Sequence, residues 1–169
     1  LTIKPVLFIA NVDEDSTKNG NNYSKKICDL GLTKGISTII MSAKLEAEIS
    51  EITDIVERKE FLNALNLEVS GLEKLTKAGY NLLKLITYFT AGPKEVRAWT
   101  IKKGTIAKAA AGKIHNDFSR GFIAAETIAY NDYILLGGEQ KARENGSIRT
   151  EGKEYIVIDG DIIVFRFNV

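Results

Sequence analysis

Two short polar segments, Asn11-x-x-Glu14 and Ser42–Ala43–Lys44, each follow an apolar run in the first half of the chain. In open α/β sheets, ligands bind at the carboxyl ends of the strands. An asparagine followed by acids is also typical of a simple turn, so a single segment of this kind indicates little. Because two of them end two successive strands, we predict a ligand-binding edge whose candidate residues include Asn11, Glu14, Ser42 and Ala43.

A basic region lies in the second half. From Lys94 to Arg120 the chain has seven lysines and arginines against two acids, although its overall net charge is only +1. Such a local excess suggests a face that meets a phosphate backbone, while a solvated surface with ordinary lysines explains it as well. The residues that we assign to contact with such a backbone, as in RNA, are Lys102, Lys103, Lys108 and Lys113.

The first polar segments need a parallel sheet to bring them together. The apolar run 5–10 predicts a strand buried on both faces, a helix is expected over about 23–32, and Ile36–Met41 predicts a second strand. A strand, a helix and a strand in this order form a right-handed crossover unit with parallel strands.

Helices are expected between this unit and the second half. Leu45, Ile49, Ile52 and Val56 recur at helical spacing and predict one acidic helix with a single apolar face. A second helix follows with Phe61, Leu62 and Leu65 as its apolar residues. Ser70-x-x-Glu73 is a capping-box pattern that predicts the start of a third helix.

From about residue 85 the chain alternates short β-type runs with turns, in the order β-β-α-β-α-β-β, which is the order of the β-grasp fold. We therefore predict an α/β segment of parallel strands plus helices over residues 1–86 and an α+β β-grasp domain over residues 87–169. The predicted elements are a hairpin of 88–90 with 96–101, helices at 105–115 and 133–144, a strand at 122–130, and a second hairpin of 149–157 with 162–167 turning at Asp159–Gly160.

Composition excludes several classes of function. A single cysteine, Cys28, permits neither a disulfide framework nor a cysteine metal site, and the four ligands of a plant-type iron–sulfur cluster are missing. The terminal Phe167–Asn168–Val169 lacks the Gly–Gly of sulfur carriers and protein modifiers. There is no apolar stretch long enough for a membrane span and no signal peptide. We expect a cytoplasmic protein without a membrane or disulfide partner.

Three further features receive structural interpretations. His115, the only histidine, has no marked catalytic partner and is assigned a structural or RNA-facing role. Trp99 is assigned to the core, and Asp159–Gly160–Asp161 to a turn rather than a metal site. Because the sequence opens at Leu1 and soon enters an apolar run, we expect it to be a fragment of a longer chain.

Several long blocks resemble the YchF family of Obg-like ATPases. Residues Phe8–Glu14 are similar to its base-recognition motif. Later blocks match in the same order and together cover essentially the whole chain: Tyr88–Gly92, Glu95–Thr100, Ile114–Phe118, Arg120–Ile123, Ala124 with Glu126, Asp159–Asp161 and Phe165–Val169.

The resemblance implies an ATPase that binds ribosomes, with a TGS domain as its RNA-binding arm and ATP and Mg²⁺ as its cofactors. In related GTPases an Asn-Lys-x-Asp motif pairs its aspartate with guanine, whereas Val12 and Glu14 replace the lysine and the aspartate here. Adenine has no N2 amino group and its N1 is an acceptor, so this exchange implies relaxed guanine selectivity. Backbone groups near Asn11 and Val12 then read adenine, while the amide of Ala43, which donates to guanine O6 in GTPases, would face a donor.

One element of the family is missing from these residues. The phosphate-binding pattern Gly-x-x-x-x-Gly-Lys-Ser/Thr does not occur, and the Mg²⁺-binding and switch elements should precede Leu1. We therefore expect no tight ATP binding and no hydrolysis from this chain alone. The first hypothesis is the C-terminal part of an ATP/GTP-binding hydrolase. The alternatives are a stand-alone RNA- or protein-binding TGS module and a regulatory domain that senses a small ligand.

Overall fold

The computed structural model describes residues 3–92 and 95–168 of the chain. It divides into two compact units, Leu1–Leu83 and Lys84–Val169, which are considered separately below. The first unit contains, in order, β1 Phe8–Asn11, α1 Asn22–Lys34, β2 Thr38–Met41, α2 Ala43–Glu51, α3 Ile55–Ala64 and α4 Gly71–Leu83.

The first unit begins with the expected crossover. Strands β1 and β2 pair in parallel, with Asn11 opposite Met41, and α1 connects them. The side chain of Asn21 caps α1 by accepting the backbone N–H groups of Tyr23 and Ser24. The predicted strand–helix–strand order is confirmed, and the ends of both strands lie at one edge.

The predicted single helix through Leu45, Ile49, Ile52 and Val56 is wrong. Helix α2 ends at Glu51, and Ile52 is extended, with ψ of 106°. Asp54 then starts α3, because its carboxylate accepts the N–H groups of Val56 and Glu57 at 2.8 and 2.9 Å. Val56 is consequently 65% exposed. The core of these helices consists of Leu45, Ile49 and Leu67 with Phe61 and Leu62 against them.

Helix α4 begins where the capping pattern predicts. The Ser70 hydroxyl accepts the Glu73 N–H at 3.1 Å. A carboxylate from α2 adds to this cap: Glu46 accepts the N–H groups of Gly71 and Leu72 at 2.6 and 2.9 Å. Since the first N–H groups of a helix have no partner within it, Glu46 ties α4 to α2.

The second unit is built on a five-stranded mixed sheet with strand order β4-β3-β7-β5-β6. Its elements are β3 Leu85–Ala91, β4 Val96–Lys102, α5 Ala107–Ile114, α6 Asn116–Arg120, β5 Phe122–Ile128, α7 Tyr130–Leu136, α8 Glu139–Glu144, β6 Arg149–Glu151 and β7 Ile162–Phe167. Strands β3 and β4 form the first predicted hairpin. The predicted helix over 133–144 is two helices, because Gly137 ends α7 with φ of 77°.

The second predicted hairpin is wrong. Strands β6 and β7 do not pair with each other; both pair antiparallel with β5, and β7 also runs parallel to β3. Strand β6 ends at Glu151, and the residues after it turn across the start of α5, where Ala107 N–H donates to Tyr155 O at 2.7 Å. A turn dipeptide at Asp159–Gly160 therefore ends a longer connection.

That connection is held by two aspartates. The carboxylate of Asp159 accepts the Thr87 N–H of β3 at 2.8 Å. Asp161 is 3% exposed and accepts the Ile158 N–H at 2.9 Å and the Tyr155 hydroxyl at 2.7 Å. Burial raises the pKa of Tyr155 to about 12, so this hydroxyl stays a donor at neutral pH.

The core of the second unit lies between α5 and the sheet. Three alanines of α5, Ala107, Ala110 and Ala111, are fully buried, and their small side chains let the helix approach the sheet closely. Tyr88 of β3 is also fully buried, and its hydroxyl donates to Ala110 O at 2.9 Å. This bond satisfies a polar group that would otherwise be costly to bury.

On the opposite side of the sheet, a carboxylate joins three elements. Glu126 of β5 accepts two hydrogen bonds from Arg166 of β7, at 3.0 and 3.1 Å, and one from Arg143 of α8 at 2.9 Å. These hydrogen bonds, first from Arg166 and then from Arg143, lower the pKa of Glu126 below its usual 4.5. Its side chain is only 18% exposed.

We predict that Glu126→Gln lowers the free energy of unfolding at pH 7 by about 1.5 kcal/mol, because charge-assisted hydrogen bonds from two arginines are lost. The lowered pKa gives the wild type stability that is present at neutral pH and is lost as the pH falls below about 4.5. Urea unfolding should therefore show the two proteins converging in acid. Glu139→Gln is the matched control, because within the described residues Glu139 is hydrogen-bonded to Arg143 alone, and its side chain is 42% exposed. A constant difference across pH would contradict the prediction.

Candidate base-binding edge and basic surface

In the first unit, the parallel strands bring the two predicted segments into contact. Asn11 is the last residue of β1, and its side-chain Oδ1 accepts the Ala43 N–H at 2.9 Å. Ser42 follows β2, is 1% exposed and caps α2 by accepting the Leu45 N–H at 3.4 Å. Asn11 and Ala43 are exposed. The edge therefore has an accessible part, formed by these two residues, and a structural part, formed by Ser42.

The hydrogen bonds already made at this edge limit what a planar base could find there. Asn11 Oδ1 and the Ala43 N–H are committed to each other, and the Val12 N–H donates to Met41 O at 2.9 Å. Asn11 keeps its amide NH₂ as a donor, and Val12 keeps its carbonyl as an acceptor, since no backbone donor reaches that carbonyl in the described part of the chain.

Glu14 does not lie free at the edge. Its carboxylate pairs with the Lys44 ammonium at 2.5 Å, and both side chains are substantially exposed. The hydrogen bond and the charge of Glu14, with a smaller effect of Glu48, raise the pKa of Lys44. This ion pair joins the loop after β1 to the start of α2. Lys44 belonged to the sequence pattern, but its pairing with Glu14 depends on the register of β1 and β2.

The loop after β1 has a defined turn. Asp13 accepts the Ser16 N–H at 2.9 Å, and the Thr17 hydroxyl donates to Asp13 O at 3.2 Å. Hydrogen bonds from Ser16 lower the pKa of Asp13. Over residues 3–92 and 95–168, acids, histidine and cysteine do not come together in any group of three that would hold a metal ion.

In the second unit, the predicted lysines lie on two elements. Lys102 ends β4 and Lys103 follows it, while Lys108 and Lys113 are exposed on α5, five positions apart and therefore on different sides of the helix. Lys102 and Lys113 line one groove between β4 and α5. Small residues of α5, Ala109 and Gly112, leave this groove open. Lys94, which contributes to the basic count of this region, lies outside the described residues.

Lys108 lies apart from that groove. It is in the first turn of α5, where its backbone N–H donates to Lys153 O at 3.3 Å. His115, the single histidine, caps α6 by accepting the Asp117 N–H on Nδ1 at 3.2 Å. This contact agrees with the structural role assigned to it. Among the described helices none is both long and apolar enough to cross a membrane.

An arginine–tryptophan contact was not anticipated. The Arg97 guanidinium carbon lies 4.2 Å from the centroid of the Trp99 ring. Both residues are on β4, and because they are two positions apart they share one face of the strand. Trp99 packs partly against the core of the unit, as expected, but it is only half-buried. The alternation of a strand was the signal that could have linked the two residues.

Comparisons with known proteins agree with this architecture. Residues 85–168 match the model of the YchF-GTPase_C family, whose description is a protein of unknown function (DUF933). The chain is 52% identical over 169 residues to the ribosome-binding ATPase YchF of Escherichia coli O157:H7 and 52% identical over 171 residues to that of Bacillus subtilis. All of the chain is covered, but only 46% of each relative, so the chain spans about half their length.

Solved structures give the same result. The Schizosaccharomyces pombe YchF GTPase matches with a TM-score of 0.85 and 39% identity over 98% of this chain and 44% of that one. A GTP-binding protein from Pyrococcus horikoshii shares the fold, with a TM-score of 0.66 at 20% identity over 98% of this chain and 46% of that one. The mixed sheet and helices described above thus resemble the C-terminal region of YchF, and the chain belongs to the YchF family.

Proposed function

We propose that the chain is the C-terminal part of a cytoplasmic ATPase that binds ribosomes, with the second unit as its ribosome-binding arm. The observation that carries the proposal is the identity of 52% along the whole chain with ribosome-binding ATPases. Residues 1–86 are the last part of a P-loop NTPase domain, and residues 87–169 are a TGS domain of β-grasp type. The parallel β1–β2 pair and the mixed five-stranded sheet support these two assignments.

Asn11 and Val12 read the base of a bound ATP. The Asn11 NH₂ donates to an acceptor of the ring, and the Val12 carbonyl accepts from the adenine N6 amino group. Guanine presents a carbonyl oxygen where adenine has N6, so it would meet the Val12 carbonyl with repulsion. Glu14 holds the loop through Lys44 and makes no direct contact with the base, and Ala43 acts by fixing Asn11.

The described residues fit only the base end of a nucleotide site. The Gly-x-x-x-x-Gly-Lys-Ser/Thr pattern that cradles phosphates is absent from the sequence, and the described residues include no group of ligands for Mg²⁺. In the full-length protein, bound ATP would supply the phosphoryl group for hydrolysis, and Mg²⁺ would neutralise the charge of the phosphates. The contribution of this chain is to orient the base.

We predict that ATP binds this chain only in the millimolar range, with GTP weaker still, because only the base is held. Nuclear magnetic resonance titration should shift the backbone amides of residues 11–12 and 42–43. Asn11→Ala should abolish these shifts, because it removes the NH₂ donor and releases Ala43. Asn63→Ala, at an exposed position of α3, is the control and should bind as the wild type does. Micromolar ATP affinity, or shifts that persist in Asn11→Ala, would count against the proposed base site.

The second unit contacts the ribosome through RNA phosphates. Lys102, Lys103, Lys108 and Lys113 are all exposed, and Lys102 of β4 and Lys113 of α5 line the same groove. The net charge of the chain is only +1. Binding to RNA therefore depends on where these charges lie rather than on their total.

We predict that changing Lys102, Lys103 and Lys113 together to glutamate lowers cosedimentation with ribosomes at least tenfold, because each lysine that contacts a phosphate releases a counterion. The logarithm of the wild-type affinity should fall linearly with the logarithm of the salt concentration, and the slope should be shallower in the variant. The control changes Lys25, Lys26 and Lys34 of α1 to glutamate, which alters the net charge equally. Equal losses in both variants would refute a specific lysine surface.

A further inference from the structure

The contact between Arg97 and Trp99 places a planar cation on a supported ring. The Trp99 indole Nε1 donates to the Thr90 hydroxyl at 2.9 Å, and the ring stacks with that of buried Tyr88 at a centroid distance of 6.5 Å and an interplanar angle of 15°. The Arg97 side chain is 56% exposed. One side of the guanidinium therefore rests on a fixed aromatic surface, and the group remains accessible to solvent.

A neighbouring acid determines which ligand suits this cation. Glu95 lies 3.9 Å from the Arg97 guanidinium, and its side chain is 70% exposed. This carboxylate offsets the charge of Arg97 and repels a second anion. A phosphate is consequently a poor ligand at this position, whereas a neutral planar group is not repelled by the Glu95 carboxylate. The planes of unpaired bases stack on arginine guanidinium groups in this manner.

The position of Arg97 on β4 connects it to the basic groove. Arg97, Trp99 and Ile101 alternate along the strand and share a face, and Ile101 lines the groove with Lys102 and Lys113. From Arg97 to Lys102 the strand extends by about 17 Å, a length that several nucleotides can follow. The face that carries Arg97 and Trp99 thus leads to the groove, which Lys113 lines from α5 and Lys102 lines at the end of the strand.

We propose that Arg97, supported by Trp99, stacks an unpaired base of a single-stranded RNA segment whose phosphates pass Lys102 and Lys113. This inference rests on the proposed ribosome-binding function and specifies its ligand: an unpaired stretch of RNA rather than a duplex. The bases of a duplex are stacked within the helix and offer Arg97 no free plane. The lysines supply most of the affinity, and Arg97 supplies the preference for single strands.

The only tryptophan of the chain reports directly on this site. We expect saturable quenching of Trp99 fluorescence on titration with a short single-stranded oligoadenylate. The affinity for the same strand paired with oligouridylate should be at least tenfold lower. Arg97→Lys keeps the charge and loses the plane, so it should lower single-strand affinity about tenfold and leave duplex affinity unchanged. Glu95→Gln should not abolish the preference for single strands. Fluorescence anisotropy of labelled RNA measures the affinities independently.

Arg120→Lys is the matched control, because Arg120 is an exposed arginine paired with Asp117 and, within the described residues, it lies over no aromatic ring. Polyphosphate and polyglutamate serve as ligands with charge alone. Equal affinities for single and double strands, no quenching, or full affinity in Arg97→Lys would each overturn the stacking proposal. If any of these occurs while lysine reversal still lowers cosedimentation at least tenfold, the proposed ribosome binding stands without the stacking proposal. If single-strand binding depends on Arg97 but cosedimentation is unchanged by the lysine substitutions, the stacking proposal stands and the proposed ribosome-binding surface does not.

Discussion

The position of β7 between β3 and β5 holds the sheet of the second unit together. The strand that ends the unit pairs with β5 along almost its whole length and runs parallel to β3, so it joins the hairpin of β3 and β4 to the rest of the sheet. The end of β7 also meets Gly121, where a Cβ atom would overlap the carbonyl of Asn168. Aspartates 159 and 161 hold the connection that leads into β7. The groove beside β4 and the support of Trp99 by Tyr88 both depend on this arrangement.

In the first unit, one side-chain hydrogen bond joins the segments that follow the two parallel strands. Parallel pairing places Asn11 beside the segment that follows β2, and Asn11 Oδ1 then takes the Ala43 N–H. This bond removes from the edge the amide donor that would serve guanine O6, and leaves a donor on Asn11 and a carbonyl on Val12. Under the base-binding role proposed above, the preference for adenine follows from which donors and acceptors are already paired within the protein. The ion pair of Glu14 and Lys44 fixes the same loop from the other side.

Local patterns predicted the elements of this fold better than their pairing. The parallel β1–β2 unit, the start of α4 at Ser70 and the hairpin of β3 and β4 follow from hydrophobic period and capping chemistry. The division of α2 from α3 was missed because the Asp54 cap competes with a continuous apolar stripe. The pairing of β6 and β7 was wrong because a turn dipeptide cannot reveal that β5 and β3 are better partners. Contacts between distant residues, such as Glu46 with α4, leave no sequence period at all.

The basic surface shows why charge counts alone are insufficient for assigning a nucleic-acid ligand. A count of basic residues led to the assignment of four lysines to RNA contact, but such a count treats Arg97 as only one more positive charge. In the structure, Arg97 is flanked by Glu95 and lies on Trp99, so its net charge is offset while its plane is kept. On the proposed RNA-binding surface, contacts of the lysines with phosphates would weaken with added salt, because counterions compete for the phosphates. Stacking on a guanidinium plane depends much less on salt, because it persists where charge is screened. The salt dependence of binding therefore separates the two contributions within a single surface.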